Sequence, residues 1–238
     1  DIIFDICIIH DCGSGGWNFM YSKLIVKKLS VTRSTLYNYQ NGESLFFANG
    51  KNQNNVFTFV FSSNTVYRWA KSNDRAFCKT EGKYSPESVY TFTDNIVYKG
   101  GADNVTPQMI QATGGSLTAK NNLVVDYGDY NFSGTKDIAD LTLSGLGMTE
   151  LSFPNPSAGD FTIVSTSPLA TASTTGGIIG DPRWLKTVTQ AISVTAIATP
   201  AEGGSVTPTN AIFEAGDKVT LSATANYGYR FKEWQDRD

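Results

Sequence analysis

The sequence predicts an all-β protein: a right-handed parallel β-helix with three strands per coil, followed by a truncated small β-meander module. Three observations lead to this prediction. Five ten-residue segments align without gaps and recur every 27 to 31 residues. Apolar residues alternate within the segments as they do in half-buried strands. The composition then changes near residue 191, where short strands and glycine-rich turns begin.

The five segments share a column pattern that has a physical meaning. Their first and third positions are almost all apolar, and their eighth position forms a second apolar column. The ninth position is mostly aromatic and includes His10, which we interpret as a stacking residue rather than a catalytic base. The segments are residues 2–11, 29–38, 59–68, 90–99 and 117–126.

The sixth position predicts a bend between two strands. It is occupied by Cys7, Ser34, Asn64, Asn95 and Asn122. Asparagine tolerates the left-handed backbone of a sharp bend, and stacked asparagines can form a hydrogen-bonded ladder. Cys7 in this column is expected to be buried and inert.

A strand, a bend and a second strand repeated in this way indicate a solenoid, because no single coil can bury its own apolar face. Further apolar runs at 45–48, 76–79 and 109–112 predict a third strand in each coil. An ordinary β-sandwich is the alternative. Its strands should recur every 8 to 12 residues or so, without a shared bend residue.

The predicted organisation has three parts. Residues 1–186 form the C-terminal coils and end cap of the solenoid, residues 187–191 a linker, and residues 192–238 a partial β module. Within the first part, residues 127–150 are expected to be irregular. Trp184 is expected to act as a lid on the open end of the solenoid. Both chain ends look cut, so part of the function is expected outside this sequence.

Composition excludes several classes of function. A net charge of −3 gives no electrostatic footprint for nucleic acid, and no apolar run is long enough to span a membrane. Three cysteines make no disulfide framework, and a single histidine disfavours Ser/His/Asp catalysis and the common zinc sites. A monomer is expected.

The residues resemble two known families. Residues 1 to about 186 are similar to the pectate-lyase-like β-helix proteins secreted by Bacteroidetes, through the Asn-Thr-Val-Tyr and Asn-Ile-Val-Tyr bends and the closing run at 159–184. Residues 192–238 resemble the internalin B-repeat-like surface module of bacteria, through Gly203-Gly204-Ser205-Val206 and the final Tyr-Gly-Tyr-Arg-Phe-Lys-Glu-Trp. Both resemblances imply export to the cell surface or the medium.

The first resemblance implies β-elimination of an acidic plant or microbial polysaccharide. Such lyases need a cation, often Ca²⁺ held by carboxylates, and a Lys or Arg that removes a carbon-bound proton. Arg68 and Lys99 are the catalytic candidates, because both occupy the tenth position of adjacent coils. The alternative is a solvated charge ladder in which Lys99 pairs with Asp126.

The remaining candidates concern the metal and the sugar. Asp126 and Asp129 could bind Ca²⁺ together with Asp137 and Asp140, or they could be solvated turn residues. Four aromatic residues are expected in loops, where they would stack on sugar rings or cover the loop bases. These residues are Trp17, Tyr39, Trp69 and Tyr84.

Two functions are therefore predicted. The first is a secreted uronate-polysaccharide lyase or a part of one. The second is a non-catalytic glycan-binding or cell-surface adhesion module.

Overall fold

We describe the protein from a computed structural model. The described residues form an all-β protein in which the helices are five short 3₁₀ helices; none is long and apolar enough to cross a membrane. They divide into two compact units, Asp1–Lys186 and Thr187–Asp238. The structure describes residues 1–11, 18–22, 26–39, 44–49, 55–69, 76–83, 85–99, 108–188, 191–214 and 218–236.

The strands of the first unit are short except for two long ones, β12 and β13. In chain order they are β1 (Ile2–Asp5), β2 (Ile8–His10), β3 (Asn18–Ser22), β4 (Lys28–Thr32), β5 (Thr35–Tyr39), β6 (Ser44–Asn49), β7 (Thr58–Ser62), β8 (Thr65–Trp69), β9 (Ala76–Lys83), β10 (Val89–Thr93), β11 (Ile96–Tyr98), β12 (Gln108–Val125), β13 (Gly128–Leu141), β14 (Ile163–Val164) and β15 (Leu185–Lys186).

Strands β1 to β13 build one curled parallel sheet, and β14 pairs separately with β15. Nine of them follow the order β1-β4-β7-β10-β12-β11-β8-β5-β2. A further parallel ladder runs through β3, β6 and β9 and also ends on β12. Because β12 pairs with β9, β10 and β11, this one strand joins three ladders. The first ladder is β1-β4-β7-β10-β12, the second is β2-β5-β8-β11-β12 and the third is β3-β6-β9-β12. Each repeat along the chain is called a coil below, and each step along a ladder a rung.

The register of the sheet confirms the sequence alignment. Leu29 pairs with Phe59, Phe59 with Tyr90, and Tyr90 with Leu117. The second strands follow the same register, with Thr35 opposite Thr65. The strands predicted at 45–48, 76–79 and 109–112 are also present.

The predicted asparagine ladder is confirmed at the bend between the first two ladders. Asn64 N–H donates to Asn95 Oδ1 at 2.9 Å, and Asn95 N–H donates to Asn122 Oδ1 at 3.2 Å. The Asn95 side-chain amide also donates to Phe61 O, in the preceding coil, at 2.8 Å.

Cys7, at the start of this column, is half-buried and not fully buried as expected. The sequence prediction was also wrong about the left-handed residue, which immediately precedes each ladder residue. The left-handed residues are Ile6, Arg33, Ser63, Asp94 and Asn121.

An aromatic core fills the space between the three ladders. Phe59 and Phe61 lie on successive inward positions of β7, and their ring centroids are 6.2 Å apart. Phe46 and Phe77 come from the third ladder and are fully buried. Burial of each such side chain contributes about 2–3 kcal/mol, so this core is the main stabilising feature of the repeat.

Strand β13 corrects the expectation of an irregular segment over residues 127–150. It stacks on β12 as a continuous strand through Leu141, with Ala112 opposite Phe132. One register shift lies between Thr113 and Ser116, where Gly114 and Gly115 both have positive φ, and another between Lys120 and Leu123. Pairing with the full-length β12 therefore overrides the low strand propensity of Gly128 and Gly134 in β13.

Residues 142–186, here called the strap, run back along the outside of the second ladder. The strap contains β14, β15 and the 3₁₀ helices Ser144–Leu146, Pro156–Ala158, Pro168–Thr171 and Pro182–Trp184. Ser157 O accepts a hydrogen bond from the Asn38 side chain, in the coil of β5. From residue 172 onward the contacts proceed from the coil of β12 to that of β1: Asn121 donates to Ala172 O, Thr174 to Asp94, Thr35 to Asp181, and Arg183 to Cys7 O.

Trp184 belongs to the strap and is not a lid on the end of the sheet. Its indole N–H donates to Thr35 Oγ1 at 2.7 Å, and its ring lies 5.6 Å from that of Phe161. Both contacts cover the side of the second ladder. The expectation failed because the sequence alone could not show that the chain reverses along the coils after β13.

The second unit contains two antiparallel strand pairs. β16 (Ala191–Thr195) pairs with β18 (Asn210–Glu214), and β17 (Gly204–Thr207) pairs with β19 (Ser222–Ala225). The 3₁₀ helix Ala201–Gly203 separates β16 from β17. Alternate strands are therefore paired, whereas the predicted meander would pair consecutive ones.

Candidate functional site

The predicted catalytic pair lies at the second corner of the coils, just after the second ladder. Tyr67 is in register with Tyr37 on one side and with Tyr98 on the other. Arg68 and Lys99 directly follow two of these residues, so they occupy the same corner on adjacent rungs, about 4.8 Å apart at the backbone. The adjacency expected from the alignment is therefore present.

The backbone at this corner is left-handed on four of its five rungs. Asp11, Asn38, Arg68 and Asp126 have φ between 50° and 62°. Asparagine and aspartate adopt this conformation readily, whereas it costs an arginine about 1 kcal/mol. The residues at this corner must therefore tolerate a left-handed backbone, whatever charge they carry.

Arg68 and Lys99 have different surroundings. The Arg68 guanidinium lies 5.1 Å from the centroid of the Tyr67 ring, a cation–π contact, and the residue is half-buried. Lys99 is only 5% exposed. Asp126, on the next rung, is exposed. The catalytic roles of Arg68 and Lys99 remain predictions.

The aromatic column beside this corner is covered by the strap. Phe161 lies with its ring edge against Tyr37 and Tyr67, at centroid distances of 5.6 and 5.9 Å. His10 stacks on Tyr37 at 4.8 Å, which confirms its interpretation as a stacking residue. Burial raises the pKa of Tyr98, and the negative charge of Asp126 adds to that effect.

Tyr39 and Trp69 were expected in loops, and this expectation is wrong. They end β5 and β8, their rings lie 4.6 Å apart in the core, and they are 2% and 0% exposed. The left-handed residue before each of them turns the strand at the corner, so the following side chain points inward. Trp17 and Tyr84 lie outside the described residues.

The carboxylates do not form a metal cage in the described part of the chain. No group of three or more His, Cys, Asp or Glu side chains lies close enough there to hold a metal ion. Asp137 pairs with Lys120, and Asp140 accepts hydrogen bonds from Asn122 and Tyr130. Asp126 is exposed, and the side chain of Asp129 lies outside the described set. The calcium site remains a prediction, and no chemical step is derived from it.

Two buried aspartates, which the sequence did not single out, attach the strap to the coils. Asp181 is 0% exposed; its carboxylate accepts from Thr35 Oγ1 at 2.6 Å and pairs with Arg183. Asp94 accepts from Thr174 N–H and Oγ1, both at 2.7 Å. Hydrogen bonding to Asp181 raises the pKa of Arg183. The available signal in the sequence was the pair Thr35 and Thr65, in a column otherwise occupied by Ile8, Ile96 and Leu123.

The second unit exposes an aromatic segment near its end. Tyr227, Tyr229, Phe231 and Trp234 are all exposed, and the rings of Phe231 and Trp234 lie 5.3 Å apart. Exposed aromatic rings can stack on the apolar face of a sugar or pack against another protein.

Comparison with known protein families gives a match in this second unit. Residues 188–238 match the family model of the divergent InlB B-repeat domain. No curated protein and no solved structure matches the chain. The resemblance of the C-terminal module to the internalin B-repeat is thereby supported, and the first unit has no family match.

Proposed function

We propose that this chain is part of a secreted or cell-surface bacterial protein that binds polysaccharide without cleaving it. In this proposal, residues 1–186 are the last coils of a right-handed parallel β-helix with three strands per coil. The observation that carries the surface assignment is the match of residues 188–238 to the InlB B-repeat domain. That module lies directly after a repeat-built parallel sheet.

The β-helix part of the proposal rests on the ladders. Three parallel ladders share β12, and the same columns recur in each coil at one strand spacing. Repeated coils of this kind form a rigid, extended surface of the type on which solenoid proteins bind long ligands. A polysaccharide is such a ligand.

The preference for binding over catalysis rests on the second corner. Lys99 is almost fully buried, whereas a proton-abstracting base must reach within hydrogen-bond distance of its substrate. The Arg68 guanidinium is engaged with the Tyr67 ring. Of the predicted sugar-stacking residues, Tyr39 and Trp69 are in the core. The exposed aromatics of the second unit, among them Phe231 and Trp234, offer a stacking surface.

A uronate-polysaccharide lyase is the second candidate. The observation that favours it is that Arg68 and Lys99 lie on adjacent rungs, with Asp126 on the next one. Arg68 and Lys99 are residues of the basic type that β-elimination needs, and Asp126 is one carboxylate on the same corner.

One experiment separates the two candidates. The chain is tested on an array of neutral and acidic polysaccharides, and each bound polysaccharide is then incubated with it, with and without Ca²⁺. Binding without an increase in the ultraviolet absorbance of unsaturated uronate supports the binding module. An increase that is lost in Arg68→Ala and Lys99→Ala supports the lyase, and no binding to any polysaccharide contradicts both.

A further inference from the structure

A cavity lies at the third corner of the coils, between the third and the first ladders. Its volume is about 380 Å³, at the lower end of the range of small-ligand sites. It is lined by Lys27, Lys28, Asn55, Val56 and Thr58. These residues lie just before or at the start of two adjacent strands, β4 and β7.

The backbone fixes the two walls of this cavity relative to each other. Lys28 is in register with Thr58, and Thr58 N–H donates to Lys27 O at 2.8 Å. Asn55 O accepts from Ser85 N–H of the next coil. The cavity is therefore built on the ladder itself, and its two lysines come from one coil while its amide and apolar walls come from the next.

Neither lysine of this cavity forms an ion pair with a side chain that the structure describes. The exposed carboxylate of Glu87 lies one coil further along the same corner. The guanidinium groups of Arg33 and Arg183 pair with aspartates, and so does the ammonium group of Lys120. The described lining of the cavity contains no carboxylate. Two ammonium groups beside an amide and a valine favour an anionic group attached to an apolar body.

We propose that the Lys27–Lys28 cavity binds the oxyanion, a carboxylate or a sulfate, of an acidic saccharide. This proposal rests on the proposed polysaccharide-binding function and adds to it the site and the charge of the ligand. The lysines supply the ion pairs, Asn55 a side-chain hydrogen bond, and Val56 a contact for the sugar ring. Because the site is open to solvent, binding weakens as the salt concentration rises.

The test uses the full chain and four probes: a sulfated oligosaccharide, an oligogalacturonate, a neutral dextran and inorganic sulfate. The double variant Lys27→Gln/Lys28→Gln is expected to lose about tenfold in affinity for the acidic oligosaccharide that the wild type binds. Lys136→Gln is the matched control, because Lys136 is an exposed lysine on β13, and it should change the affinity less than twofold.

A second variant tests the sign of the electrostatic effect. Val89 pairs with Thr58, and Glu87 lies two residues before Val89 as Val56 lies two residues before Thr58. Glu87 therefore lies one coil further along the same corner, and its side chain is exposed. Glu87→Gln is expected to strengthen binding about twofold, since it removes a nearby negative charge. If the double variant does not fold, the single variant of the exposed Lys27 gives the same comparison.

The outcomes separate the two proposals. Binding of an acidic oligosaccharide that is lost in the lysine variants, with Lys136→Gln unaffected, supports the cavity as the site. A glycan that binds the wild type and the lysine variants equally overturns the cavity and leaves the polysaccharide-binding function intact. Binding of inorganic sulfate alone overturns the saccharide as ligand. If no probe binds at any salt concentration, both proposals fail.

Discussion

The coils and the strap are stabilised in different ways. In the coils, the same interactions recur from one rung to the next: the amide ladder, the aromatic core and the in-register strand pairs. In the strap, each contact occurs once; examples are the hydrogen bonds that Thr35 donates to Asp181 and that Thr174 donates to Asp94. The coils thus depend on a periodic pattern, whereas the strap depends on a few individual residues.

This difference predicts how each region responds to substitution. Loss of one rung of a ladder disturbs both neighbouring coils, because every asparagine bonds in both directions. Loss of one strap contact should free a local segment while the ladders persist. Four substitutions test this contrast, beginning with the largest expected effect.

Asn95→Ala should be the most damaging of these substitutions. It leaves the buried Asn64 N–H and Phe61 O without their side-chain partners, so the free energy of unfolding should fall by about 4 kcal/mol. Chemical denaturation measures the loss. Asn131→Ala is the matched control, since Asn131 is exposed on β13, and it should change stability by less than about 0.5 kcal/mol. Equal effects of the two variants would show that the ladder adds nothing.

Asp181→Ala tests the strap. The carboxylate is fully buried and accepts from Thr35 while pairing with Arg183, so its removal should cost about 2–3 kcal/mol. Asp137→Ala is the control, because its ion pair with Lys120 is exposed, and it should have little effect.

Hydrogen exchange adds a regional measurement to this comparison. In Asp181→Ala, the amides of residues 163–186 should exchange faster, while those of β7 and β10 keep their protection. If the ladder amides lose protection to the same extent, the strap is an integral part of the coils and the contrast between the two regions is wrong.

The sequence predicted the periodic region well and the strap poorly, for one physical reason. A column such as Ser34, Asn64, Asn95 and Asn122 repeats its environment, so the pattern itself reports the stacking. Asp181 lies 146 residues from Thr35, and no periodicity links them. Trp184 was recognised as a covering residue, but the face that it covers depends on the reversal of the chain after β13.

The same reasoning explains the outcome for the candidate site. The adjacency of Arg68 and Lys99 followed from the alignment. The burial of Tyr39 and Trp69 did not, because it depends on the left-handed corner that precedes them. The cavity lined by Lys27 and Asn55 was missed because its walls come from two coils and neither segment has a motif of its own.

Gly159→Ala probes a close approach of the strap to the aromatic column. Gly159 has φ +83°, and a Cβ there would lie 2.6 Å from the Tyr37 hydroxyl oxygen. We expect a loss of about 2 kcal/mol, of which about 1 kcal/mol reflects the backbone conformation alone. Gly147→Ala isolates that part, because Gly147 has φ +68° and no neighbour within 4 Å of the added atom. Thermal unfolding of both variants gives the difference; if it is zero, the strap does not press on Tyr37.

The smallest effect concerns an ion pair between the first two coils. The hydrogen bond from Arg33 lowers the pKa of Asp5 to about 2, and Thr32 contributes in the same direction. Because the pKa is lower in the folded state, the pair stabilises the protein above about pH 4 and this contribution disappears as the pH falls toward 2. Arg33→Gln should therefore lower the unfolding midpoint slightly at pH 6 and much less at pH 2, as measured by thermal unfolding across that range. Asp11 and Asp160 also have lowered pKa values and remain in both proteins, so only the difference between the two curves reports on Asp5. A difference that is independent of pH would mean that Arg33 acts through its left-handed backbone position and not through its charge.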